Sequence, residues 1–168
     1  MKRFSYIAAG CAAALTAVAG IVFVSPAFAA NYSSPYYYTK LVNKTSTSNH
    51  VNRSNRLALC NVVTSGTTCT ISAGKTATRT IDLSFNATRA GVAGTLGISS
   101  SSSQTISVSC TSPRMTRGQN FAAYPVGSRY QYQLQSYYWT GYSSQYKGSS
   151  GWLYAFNPYA NAISCGLA

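Results

Sequence analysis

Carboxylates are almost missing from this chain. Among its 168 residues Asp82 is the single acidic side chain, glutamate is absent, and His50 is the single histidine. General acid–base catalysis draws on groups that titrate near neutrality, usually paired carboxylates or a histidine with an orienting partner. One carboxylate cannot supply a two-carboxylate glycosidase. Asp82 lies mid-segment on the polar side of an alternating run, and His50 lies in a Ser/Thr/Asn-rich stretch. A Ser–His–Asp arrangement would require the tail to fold back onto a sheet. No catalytic residue is assigned, and an enzyme is not expected. Cys-x-x-Cys spacing is also missing, so the cysteines do not read as a zinc site and no metal or cofactor is implied. The basic residues, Arg79 among them, never run three together and read as a scattered, solvated surface; no nucleic-acid motif accompanies them, so no dedicated nucleic-acid site is expected.

What is present first concerns the compartment. Lys2 and Arg3 precede an apolar run from Ile7 to Val24, and Ala27 and Ala29 occupy the two small-residue positions of a signal-peptidase site. Residues 1–29 therefore read as a signal peptide and the protein as secreted and extracellular. A membrane anchor of about 18 apolar residues is the rival, opposed by the cleavage site and by the polar change at Asn31. Lipoprotein processing at Cys11 is another rival, opposed by the apolar run that continues past it. Removing Lys2 and Arg3 takes the formal charge from +12 to +10. That field favours anionic partners, such as cell-wall polymers, or simply serves solubility.

Loss of the leader removes Cys11 and leaves Cys60, Cys69, Cys110 and Cys165, an even number in an exported chain. Three pairings are possible. Thr64, Ser65 and Gly66 form a turn signal between the first two cysteines, so Cys60–Cys69 across a hairpin is the simplest choice and Cys110–Cys165 follows.

Period-two alternation dominates what remains. Three segments, Arg79–Ala87, Val92–Ile98 and Gln104–Cys110, each alternate apolar and polar residues and predict an antiparallel meander. Arg129–Ser136 alternates again, with Tyr130, Tyr132 and Leu134 on one side. Further strands are expected at Tyr137–Thr140 and Trp152–Phe156, with Pro125 breaking any long strand before the first and Asn157–Pro158 ending the second. The fold class is all-β: an antiparallel meander forming a small sandwich or partly closed barrel, with two disulfides. Residues 57–168 form its disulfide-stabilised domain.

Residues 30–56 are polar, lack cysteine and hold few aliphatics, a composition that predicts a flexible N-terminal arm. Within it Tyr36, Tyr37, Tyr38, Thr39, Lys40, Leu41 and Val42 form an island of high β propensity. Two readings stand for this island. It adds a strand to a partner's open sheet edge, or it is the first strand of its own domain. Aromatics also crowd residues 137–159, interleaved with Ser, Gly and Gln. They either fill the core or present ring faces to sugars and proteins.

Residues 69–81, 108–113 and 152–158 resemble a group of small exported actinobacterial proteins over about 100 residues, a likeness that carries no assigned chemistry. The arrangement of a Tyr-containing arm ahead of a disulfide-linked β domain is similar to the adaptor subunit of streptomycete umbrella toxin particles. That resemblance implies a protein joining a lectin-like subunit to the stalk of a large antibacterial toxin. The expected function is a secreted, non-enzymatic adaptor whose partners are other secreted subunits, gripped through residues 36–42. Two alternatives remain: a cell-wall or carbohydrate-binding module using the Tyr/Trp cluster, and a cationic pore former whose Val92–Val108 hairpin inserts into a membrane.

Overall fold

The computed structural model describes residues 34–168; the expected leader, and residues 30–33 of the expected arm, lie outside them. In chain order the elements are β1 (Tyr36–Val51), β2 (Ala58–Asn61), β3 (Thr70–Ile71), β4 (Lys75–Thr78), β5 (Thr80–Ile81), α1 (Arg89–Leu96), β6 (Ser103–Ile106), β7 (Cys110–Thr111), β8 (Asn120–Trp139), β9 (Ser144–Ser149) and β10 (Leu153–Leu167). Every strand pairing is antiparallel, and the sheets are open and not a closed barrel. The all-β class holds.

β8 is the spine. One of its edges carries β1, from Tyr36 opposite Trp139 to Val51 opposite Val126, followed by β2 opposite 120–123. Its other edge carries β9 opposite 135–139 and β10 opposite 121–132, and β5 extends the sheet beyond β10. Residues between β2 and β8 supply two small two-stranded sheets, β3–β7 and β4–β6, and the helix.

Side chains on a strand alternate between its faces, so the parity of β8 separates two cores. Tyr132 and Leu134 pack with Ile81, Val92, Ala93, Leu96 and Ala155 on one face. Phe121 and Ala123, of opposite parity, pack with Val62, Cys69, Ile71 and Met115. The second core is stapled by both disulfides, Cys60–Cys69 and Cys110–Cys165, the pairing expected from the spacing. The hairpin argument behind the first bridge is corrected: β2 pairs with β8 and β3 with β7, and the bridge ties two separate sheets.

Three other expectations change. The arm is not loose over residues 36–51: its β island is the first strand of its own domain, and pairing continues through the polar residues to Val51. Backbone bonding to β8 orders a segment whose own side chains bury little. Second, the central meander is absent. The first segment stays strand only at Thr80–Ile81, and Val92–Leu96 is helical. Thr88 caps that helix, its hydroxyl accepting from the Gly91 N–H, and Gly97 closes it in the left-handed conformation. Val92 and Leu96, four apart, are buried on one side of the helix. In this structure residues 92–108 therefore do not form the alternating hairpin expected from the sequence. Third, prolines do not end the long strands. β8 runs through Pro125 and β10 through Pro158, because β10 bulges between Pro158 and Ile163, where ladder bonds are interrupted anyway. Gly127, opposite Pro158, completes this crossing: a Cβ there would sit 2.2 Å from the Asn157 carbonyl oxygen.

Candidate functional site

One end of the sheet is three-stranded, built from the start of β1, the end of β8, and β9. Here the seven residues singled out in the sequence lie side by side on one strand, and the pleat divides them. Tyr37, Thr39 and Leu41 sit opposite Tyr138, Ser136 and Leu134 on the helix side; Tyr36, Tyr38, Lys40 and Val42 sit opposite Trp139, Tyr137, Gln135 and Gln133 on the other.

The face away from the helix is an aromatic ladder. Tyr38 stacks on Tyr137 at 5.4 Å between ring centroids, Tyr36 lies 5.8 Å from Tyr38, and Tyr146 meets Tyr137 edge-on at 5.6 Å. The Lys40 ammonium lies over Tyr137 at 5.0 Å and over Tyr38 at 5.6 Å, so its charge rests on ring faces. Of the nine aromatics in 137–159 only Phe156 is buried; Tyr142, Tyr146, Trp152 and Tyr154 are exposed. The crowding is a surface property, and the core takes its rings from Phe121, Tyr132 and Phe156.

The helix-side face holds a cleft of about 310 Å³. Tyr37, Thr39, Leu41, Leu134 and Ser136 border it from the sheet, and Phe85, Asn86, Val92 and Thr95 from α1 and the turn before it. No charged side chain borders it. Phe85 has a φ of 53°, an uncommon conformation for a bulky residue, yet its ring is half exposed at this cleft. Phe85, Asn86 and Ser136 were missed in the sequence. Alternation placed Phe85 inside a strand, and nothing local marks the turn that turns it outward.

The outer edge of β1 is the third feature. Among the described residues no strand pairs with it. Its regular stretch is Tyr36–Val42, because register shifts follow at Val42/Thr45 and Thr47/His50, where Asn43 and Asn49 take positive φ. Bulges of this kind guard sheet edges against unwanted pairing. The stretch they leave regular coincides with the island read from the sequence.

The scarce titratable groups have structural partners. The exposed Asp82 carboxylate accepts from the Tyr154 N–H at 3.0 Å, and His50 meets Phe156 edge-on. Tyr132 donates its hydroxyl proton to the Asp82 carbonyl; burial, with the Asp82 charge nearby, pushes its pKa up to about 12. Arg79, read from sequence as one of many surface cations, is buried. Its guanidinium donates to Asn157 Oδ1, Gln104 Oε1 and the carbonyls of Ser101 and Ser103. Burial and then Arg89 lower its pKa.

No protein-family model matches the chain, and comparison with curated proteins and with solved structures finds no match.

Proposed function

We propose that this is an exported, non-enzymatic binding protein that holds a protein partner by adding one of the partner's strands to the free edge of β1 at Tyr36–Val42. The observation that carries the reading is that edge: seven regular residues with no strand beyond them among the described residues, ended by a bulge. Backbone bonds along such an edge supply affinity, and the alternating rings of Tyr36, Tyr37 and Tyr38 supply specificity. The grip differs from a free arm in one respect: β1 stays on β8 and the partner comes to it. An adaptor between subunits of an extracellular antibacterial toxin complex is the form of this function that the resemblance favours. Two disulfides suit an oxidising compartment, and export through the leader completes the proposal.

Thr39→Pro and Lys40→Pro test it together. Neighbouring N–H groups on a strand point to opposite edges, so one proline removes a bond to β8 and lowers the thermal midpoint. The other removes only an outward donor. Affinity capture of the tagged full chain from culture medium is expected to retain a stoichiometric partner in the wild type and lose it in the fold-intact proline variant. Retention of that partner by the fold-intact variant would overturn the proposal.

A further inference from the structure

We infer that the cleft between α1 and the three-stranded end of the sheet binds a neutral saccharide. Its volume of about 310 Å³ lies at the small end of the range of about 300–1,000 Å³ for ligand sites, room for a ring-sized group. Leu134 and Val92, both buried, give it apolar walls, and the rings of Tyr37 and Phe85 come from its two sides, the sheet and the turn.

Three polar side chains decide the ligand class. The hydroxyls of Thr39 and Ser136 and the amide of Asn86 border the cleft, and none has a hydrogen-bond partner among the described residues. An apolar or aromatic group from a protein partner would cover them without pairing them, at the desolvation cost of each. A sugar ring offers an apolar face to the aromatics and hydroxyls to Thr39, Ser136 and Asn86. Charge points the same way. Cations are spread over the chain, yet none borders this cleft, so an anionic ligand would find its counter-charge elsewhere.

Phe85 is the second, independent observation. Glycine or asparagine would occupy φ 53° with less strain. A phenylalanine held there, with its ring half exposed at the mouth of a cavity, fits strain retained for binding.

The inference stands apart from the edge reading, since the cleft faces the helix and the edge faces outward in the plane of the sheet. Amide NMR titration of the labelled full chain tests it, with glucose, galactose, N-acetylglucosamine and their β-linked oligomers as ligands. Glucuronic acid and p-cresol serve as anionic and aromatic controls. Saturable shifts at Thr39, Gly91 and Ser136 with a neutral sugar are expected. Affinity should fall about tenfold or more in Phe85→Gly and in Ser136→Ala, and stay unchanged in Trp152→Ala. Phe85→Gly keeps the fold because glycine takes this backbone freely, so its thermal midpoint should hold or rise. Absence of shifts with every neutral sugar at tens of millimolar, survival of binding in Phe85→Gly, or tighter binding of either control would each overturn the inference. Phe85→Gly, which leaves the β1 edge untouched, should retain the partner captured by the wild type, which separates failure of one proposal from failure of the other.

Discussion

Tyr132 shows how one side chain can join two parts of the molecule. Its ring is fully buried between β8 and α1, and its hydroxyl reaches the Asp82 carbonyl just beyond β5. Burial disfavours the phenolate, so the folded protein holds this proton up to about pH 12, whereas the unfolded chain releases it near pH 10. The raised pKa gives stability that is complete below about pH 10 and is lost as pH rises from there through about 12, on the order of 3 kcal/mol. Tyr132→Phe should cost about 1 kcal/mol at neutral pH, by leaving the Asp82 carbonyl without its donor. It should also flatten the alkaline fall. Urea midpoints of wild type and variant, followed from neutral pH upward, check this; parallel curves would refute it. Arg79 carries a different lesson. Composition counted it with the surface charges, but four neutral acceptors drawn from 101–104 and 157 bury it without any carboxylate. A chain with one acidic residue solves a buried cation with carbonyls and amides.

At the scale of elements, the crossing of β8 and β10 depends on a small residue. Gly127→Ala would force a methyl group to 2.2 Å from the Asn157 carbonyl oxygen and 2.7 Å from Pro158 Cα. Both neighbours are backbone, so the strands must separate, and a loss of roughly 3 kcal/mol or more is expected by chemical denaturation. A variant as stable as the wild type would show that the bulge after Pro158 absorbs the strain. The helix was readable in principle. Thr88 three residues before Gly91, the Val92–Leu96 spacing and Gly97 after the last buried residue are the signals of a short capped helix. Gly91 and Gly94 lower helix propensity, and Ile98 completes a false alternation, so the period-two reading won over an eight-residue window. The seven-residue island at 36–42 was legible because β-branched and aromatic residues mark strands wherever they pair. Which strand it pairs with was not, because composition says nothing about a partner some 90 to 100 residues away.

For the whole molecule, the two bridges should contribute unequally. Loop-entropy arithmetic assigns about 4 kcal/mol to Cys110–Cys165, with its separation of 55, and about 2.5 kcal/mol to Cys60–Cys69, with its separation of 9. Replacing each pair by alanine and comparing urea unfolding free energies checks the order; a larger loss for Cys60–Cys69 would refute it. Sequence by itself determined the all-β class and the strand propensity of Tyr36–Val42, because alternation and side-chain shape act locally; it reached the cysteine pairing only through a hairpin that the structure does not form. Only the tertiary structure decided that β8 is a twenty-residue spine unbroken by Pro125, and that Arg79 is buried. It alone brought Phe85 and Asn86 beside Ser136 at one cleft. Those outcomes rest on contacts between segments tens of residues apart, where a bulge in one strand or a glycine in another changes what a residue meets, and no local pattern records that.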